Sequence, residues 1–325
     1  MTLQQVDAPL VDYIFLGRYV RLPLSALKVI NQHHDFSEII GYSENQFRAL
    51  VDSLGRDSRV HLREKDRLVD DFLQKRTPSM FITIKQMLDE CDQHGIKCIS
   101  YFGDDFPAIL KQVSNPPKFI FIKGETMPSD AKAVAMVGTR DPTPYGKDMA
   151  IKIARRFVEL GFTIVSGLAR GIDAISMRAA LDHGGRVIGV LGCGILNIYP
   201  KENMELASDV TKNGALMSEV FPADSVNQRA LQMRNRITSG FGLANVIVEG
   251  RSNSGTKWQI KFGKEQGKPA IAVKPIDEAA EQAFVPLSII RSHAGYIIKE
   301  VSDVDVIAEK LLQQKKETKQ TRLDV

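Results

Sequence analysis

The sequence predicts an α/β protein: a doubly wound, mostly parallel sheet with an N-terminal helical accessory domain. Two observations predict it. From about residue 131 to 301, short apolar runs alternate with glycine turns and amphipathic helices, the pattern of strands covered on both faces by helices. Before about residue 97 the chain is charged and helical in period, and no comparable apolar runs punctuate it.

In the first region, "SENQFRALVDSL" opens on a serine cap with a glutamate in the first turn, then spaces Phe47, Leu50, Val51 and Leu54 at helical intervals. "REKDRLVDDFLQKR" is a second amphipathic helix, with Leu68, Val69 and Phe72 on one side and a solvated charged face. Residues 98–130 read as a connecting segment, broken by Pro107, Pro116 and Pro117, in which "KFIFIKG" alternates like a strand.

The main domain then reads strand by strand. Strands are expected at residues 131–138, 161–167, 186–192, 214–220, 245–250, 268–273 and 295–301. Helices are expected at 145–160, 171–184, 201–214 (closed by Gly214), 228–242 and 256–267. Residues 302–325 read as a C-terminal helix running into a basic tail, for which polarity predicts disorder. Ligands of such sheets bind at the carboxyl ends of the strands.

Composition narrows the function. An apolar content of 43% is enough for a full core. A formal net charge of +4 is mild, so a polyanionic partner must be argued from where the cations sit. The cysteines Cys91, Cys98 and Cys193 are sparse and odd in number, which points to free thiols in a reducing, cytoplasmic setting rather than a disulfide framework. Cys91 and Cys98 bracket His94, but no second ligand pair completes a structural zinc site, so no metal is expected. The N-terminal stretch has no basic segment and an early Asp7, so no signal peptide is expected. No run reaches membrane-spanning length, so no membrane partner is expected.

The chemistry is carried by the loops at the strand ends. The first, Gly138-Thr139-Arg140, offers close backbone approach, a hydroxyl and a guanidinium suited to phosphate. It leads through Pro142, Pro144 and Gly146 to a helix start, where free N–H groups favour anions. The second is "SGLARGID", with Ser166, Gly167, Arg170 and Gly171. Others are "LGCGILNIYPKEN", "SEVFP", the arginine pair around Asn235 (Arg234 and Arg236), and "EGRSNSGTK", with Ser254, Gly255 and Lys257. Glycine, hydroxyl and cation recur at one sheet edge, a composition that fits a sugar-phosphate ligand. A dinucleotide cofactor is not expected. Only Gly138 follows the first strand before an arginine, and Asn197 stands where the third glycine of "GCGILN" would belong. Ser166, Ser218 and Ser254 lack a neighbouring base, and Asp173 and Glu219 are read as anchors for loop arginines.

These motifs, in this order and spacing, resemble the DNA-processing protein A family (DprA, also called Smf). The resemblance covers roughly residues 98 to 300 and rests on "VGTRDPTPYG", "SGLARGID", "VLGCGILNIYPKEN", "GALMSEV", "RNRITSG" and "VIVEGRSNSGT". It implies a Rossmann-like domain that binds single-stranded DNA without a cofactor or established catalysis, dimerises, and helps load RecA recombinase while displacing single-strand-binding protein. It also implies that Gly138, Thr139 and Arg140 form a first phosphate turn and Ser166, Gly167, Arg170 and Gly171 a second. Arg234, Asn235 and Arg236 then occupy an arginine-asparagine-arginine motif, and Ser254, Gly255 and Lys257 the last glycine loop. Departures from the family pattern mark a diverged branch: Met177 for histidine, Leu196 for aspartate, Leu231 and Gln232 for Phe-Pro. The chain also ends before the winged-helix domain many members carry. Two other classes compete with DNA binding: a sensor of a small nucleotide signal, and a nucleotide phosphoribohydrolase-like enzyme. The second lacks its paired glycines and following glutamate in "SNSGTKWQI". Lys257, Lys261 and Lys264 recur near helical spacing as a possible extension of a basic track, and Trp258 and Phe241 are candidates to stack a base or to fill the core.

Overall fold

A computed structural model of the chain describes residues 8–292 and 295–323. The extreme N-terminal stretch, His293 and the last two residues of the tail lie outside the described residues. The chain forms two compact units. One comprises the described residues up to Phe106 with Pro117–Ile120; the other comprises Pro107–Pro116 and the residues from Phe121 onward. The stretch expected as a connector, 98–130, is therefore shared between them.

The first unit is helical, as its period implies. Its elements are α1 (Ala8–Ile14), α2 (Leu24–His33), α3 (Phe36–Ile40), α4 (Glu44–Arg56), α5 (Lys65–Lys75) and α6 (Pro78–Gln93), followed by strand β1 (Ile96–Ser100). Ser43 caps α4 in a capping box with Gln46, which satisfies two orphan donors at once. Phe47 of α4 and Phe72 of α5 stack with centroids 3.8 Å apart. Leu68, Val69 and Phe72 are all buried, on the face their spacing assigned them.

The second unit contains β2 (Phe119–Gly124), which begins in the first, then β3 (Ala133–Val137), α7 (Pro144–Glu159), β4 (Thr163–Ser166), α8 (Ile172–Asp182), β5 (Val187–Leu191), α9 (Met204–Lys212), β6 (Gly214–Ser218), α10 (Gln228–Met233), α11 (Asn235–Phe241), β7 (Asn245–Ile247), α12 (Thr256–Glu265), β8 (Ala270–Val273), α13 (Phe284–Ser292), β9 (Gly295–Ile298) and α14 (Asp303–Leu323). Its strands lie in the order β2-β6-β5-β4-β3-β7-β8-β9. All neighbours from β6 to β9 are parallel, and β2 pairs antiparallel with β6. Successive connections step from β3 towards β6 on one side and from β7 towards β9 on the other, so the topological switch point, where ligands of such sheets collect, lies between β3 and β7.

Three elements differ from the sequence expectation. Residues 228–242 form two helices instead of one: Ile237 N–H bonds Arg234 O at 2.9 Å, tightening the turn from four residues to three at Arg234. Gly214 starts β6 instead of closing α9, whose C-cap is Asn213. The expected C-terminal helix starts at Asp303 and runs on through the polar stretch expected to be disordered, to Leu323. The Asp303 carboxylate accepts the N–H groups of Lys299 and Glu300 at 2.7 and 3.0 Å, which fixes the helix start. Val304, Ile307, Ala308 and Leu311 are buried, and Asp305 receives Arg156 of α7. An apolar stripe hidden among charges holds this helix down.

Below the amino ends of the strands, the buried Asp130 carboxylate accepts from Arg186 Nε at 2.9 Å, Thr163 Oγ1 at 2.9 Å and Met127 N–H at 2.7 Å. Removing it strands the half-buried Arg186 guanidinium. Asp130→Ala is therefore expected to lower unfolding free energy by about 3 kcal/mol, read as a lower urea midpoint with unchanged slope.

Candidate nucleic-acid interface

The loop after β4 departs from ordinary geometry where the sequence places its glycines. Leu168 sits in the left-handed region at φ 55°, and Gly171 follows at φ 71°. A Cβ on Gly171 would strike the carbonyls of Thr139 and Arg140, so this glycine lets the loops after β3 and β4 touch backbone to backbone. Ile172 N–H seals that contact on Thr139 O at 3.1 Å. Asn203 Nδ2 donates to the carbonyls of Leu168 and Ala169 at 2.9 and 3.3 Å. The carbonyls of Leu168 and Ala169 are thus engaged. Among the described residues, no backbone or side-chain acceptor takes the N–H groups of Leu168, Ala169, Arg170 or Gly171. Successive amides around a left-handed residue form a concave seat for an anion.

Arg234 supplies the floor. A Cβ added at Gly167 would overlap its guanidinium, so the arginine lies against the bare backbone of the second loop. Asp173 binds both: Oδ2 accepts Gly167 N–H at 3.1 Å and pairs with Arg234 Nη2 at 3.5 Å. Arg234 is 6% exposed, its Nη1 donates to Thr238 Oγ1 at 3.2 Å, and its Nε has no partner. Burial pulls its guanidinium below the usual range, Asp173 opposes that shift, and the nearby Arg140 adds to it. Arg140 is exposed and has no acid partner among the described residues. Arg170 is exposed and pairs with the exposed Glu202 at 2.8 Å, a contact of little net worth in water. Asp173 thus pairs with Arg234 and Glu202 with Arg170, while Arg140 has no carboxylate partner among the described residues.

Five of the sequence-predicted residues are placed differently from a phosphate track. Arg236 turns inward: it is 3% exposed, grips Glu219 through both nitrogens at 2.6 and 2.5 Å, and donates Nε to Asn115 O at 2.8 Å. Its charge is spent on Glu219, because a guanidinium drawn into the core beneath α11 has to be paired. Ser254, Gly255 and Lys257 are not joined by any hydrogen bond or ion pair to the Arg140–Arg170–Arg234 group. Ser254 Oγ contacts Thr256 Oγ1, and Lys257 lies over Phe284 at 5.5 Å. Asn235 is buried, its amide on Leu231 O at 3.3 Å.

The remaining residues act as scaffold. Thr139 Oγ1 accepts Asp141 N–H at 3.3 Å. Ser166 Oγ donates to Met136 O at 2.6 Å, tying β4 to β3. Ser218 Oγ donates to Cys193 O at 2.7 Å. The hydroxyls of Ser166 and Ser218 are therefore committed to backbone and buried. The start of α7, read from sequence as an anion seat, is already filled: Glu249 at the switch point accepts Thr143 N–H and Thr143 Oγ1 at 2.9 and 2.5 Å. This internal carboxylate neutralises the helix end and displaces the open amides to the β4 loop. Phe241 is core, 2% exposed. Trp258 packs on Phe262 at 6.1 Å, beneath Lys261 at 5.1 Å. Lys257, Lys261 and Lys264 are exposed along α12.

Sequence reasoning passed over Lys201. It is exposed, and its charge reaches Cys193 together with that of Arg234. It precedes Glu202, the partner of Arg170, in the loop that Asn203 fastens onto Leu168. The "YPKEN" run was its signal.

The family model described as DNA recombination-mediator protein A matches residues 97–309. This chain belongs to that family. A DNA processing protein DprA of Bacillus subtilis is 34% identical over 210 residues, 64% of this chain and 71% of the relative. A protein Smf of Synechocystis is 32% identical over 220 residues, 66% of this chain and 55% of the relative. Among solved structures, DNA processing protein A (DprA) from Streptococcus pneumoniae superposes with a TM-score of 0.74 at 22% identity, covering 91% of this chain and 97% of that one. DNA processing protein A from Helicobacter pylori, described for its single-stranded DNA binding mode, gives a TM-score of 0.59 at 24% identity over 67% of this chain and 96% of that one. The DprA/Smf likeness read from the loops and the Rossmann-like doubly wound sheet both stand.

The two classes of arginine separate in a folding experiment. Arg236→Ala leaves Glu219 unpaired in a half-buried site and is expected to cost about 3 kcal/mol. Arg140→Ala is expected to stay within about 0.5 kcal/mol of the parent. Equilibrium urea unfolding of both variants checks this.

Proposed function

We propose that this protein binds single-stranded DNA through its phosphates, without reading base sequence, in the handling of strands for recombination. The observation that carries the reading is the run of amides without protein acceptors at Ala169, Arg170 and Gly171, bracketed by the exposed Arg140, Arg170 and Lys201. Backbone donors and flexible cations recognise phosphate, which is common to every sequence. A phosphate arriving at Arg170 exchanges with Glu202 across a solvent-exposed pair, so little must be broken on binding. Arg234 adds fixed positive potential beneath the seat and needs no rearrangement. Family membership favours nucleic acid over a free nucleotide as the ligand, since related chains are named as DNA processing proteins and one related structure is described by its single-stranded DNA binding.

In this reading the chain is a binding protein with no catalytic step. Ser166, Ser218 and Asp173 serve the scaffold, and no cofactor takes part. Loading of RecA recombinase, displacement of single-strand-binding protein, homodimer formation and a cytoplasmic setting belong to the same reading through the family. No helix among the described residues is long and apolar enough to cross a membrane.

A salt series on fluorescent oligonucleotides tests it. Affinity is expected to fall linearly on a log–log scale, with single strands bound more tightly than duplex. Arg140→Ala and Arg170→Ala should each weaken every sequence alike and flatten the slope by about 0.7. Unchanged affinity in both variants contradicts the assignment.

A further inference from the structure

We propose that Tyr199 is a base-stacking platform beside the phosphate seat, so that a bound nucleotide is held by its base as well as its phosphate. The inference rests on the single-strand reading above and adds a second kind of contact to it. Tyr199 is 43% exposed, and its neighbour along the loop, Met204, is 54% exposed. Among the described residues the Tyr199 ring contacts no other aromatic ring. A large amphipathic ring left in water on a well-anchored loop marks a place for a flat partner.

The loop places that ring at the seat. Cys193, just after β5, opens the same loop, and the charges of Lys201 and Arg234 both act on its thiol. Pro200 next to Tyr199 is buried, so the backbone on that side is fixed. Lys201, Glu202 and Asn203 follow directly, the last two joined to Arg170 and to the carbonyls of Leu168 and Ala169. Tyr199 therefore sits in the same short loop as Lys201 and as Asn203, which fastens that loop to the carbonyls of Leu168 and Ala169. The other aromatic candidates are engaged: Phe241 is in the core, and Trp258 packs against Phe262. Stacking on a π face accepts any base, so this contact strengthens binding without conferring sequence preference.

The test compares the parent protein, Tyr199→Ala and Tyr199→Phe on two probes: an oligonucleotide carrying 2-aminopurine, and a strand of the same length with abasic sites throughout. The parent is expected to quench 2-aminopurine on binding. Tyr199→Ala should weaken the base-bearing strand roughly tenfold, abolish the quenching, and leave the salt slope unchanged. Tyr199→Phe keeps the ring and should bind like the parent. Parent and Tyr199→Ala should bind the abasic strand equally. Equal binding of the base-bearing strand by parent and Tyr199→Ala overturns the proposal. So does an equal loss on the abasic strand, which would mean the tyrosine only supports the loop. The phosphate reading fails separately, through unchanged binding in Arg140→Ala and Arg170→Ala.

Discussion

The contact between the Arg234 guanidinium and the bare backbone of Gly167 is the constraint on which the site depends. Any side chain at position 167 would occupy the space of the guanidinium. Asp173 closes the arrangement, holding the Gly167 amide and the Arg234 charge with one oxygen. Next to it the chain turns at Leu168 into the left-handed region, and the amides from Leu168 to Gly171 have no protein acceptor among the described residues. A buried cation, one acid and a residue without a side chain thereby underlie a row of donors that reaches the surface at Ala169, Arg170 and Gly171. Burial lowers the affinity of Arg234 for its proton, but the acid beside it keeps the charge worth holding.

Burial also divides the arginines by task. Arg234 and Arg236 sit two residues apart around the tightened turn between α10 and α11, and both point inward. Arg236 meets a full bidentate carboxylate in Glu219 and is neutralised there. Arg234 meets Asp173 at longer range and keeps an unpaired Nε, so its field still reaches the rim. Arg140, Arg170 and Lys201 lie outside and remain exchangeable. At the switch point, Glu249 performs for α7 what a ligand phosphate performs in related sheets, and this moves the free donors one strand over, to β4.

Much of the fold was legible in the sequence because strands buried on both faces are uninterrupted apolar runs. β3, β4, β5 and β8 are each wholly buried. The N-terminal helices α4 and α5 were legible from period and cap. What escaped depends on partners distant in the chain. β2 was legible as the alternating run "KFIFIKG", but its antiparallel pairing with β6 was not, because the partner strand lies far along the chain. The C-terminal helix was expected, but its extent was obscured because its stripe of Val304, Ile307, Ala308 and Leu311 is followed by a long polar run. At the site, the glycine loops and their convergence were visible as composition. The inward turn of Arg236 was not, since Glu219 lies on a different element, and neither was the capture of the α7 start by Glu249. Lys201 was hidden in a loop whose glycines drew attention first.

Hydrogen–deuterium exchange of the protein with and without a saturating single-stranded oligonucleotide tests the seat most directly. Phosphate on the open amides slows exchange in the peptide spanning Ser166 to Ile172, with smaller slowing around Thr139 to Asp141. A bound strand that leaves exchange at Leu168 to Gly171 unchanged, and protects α12 or another surface instead, contradicts it.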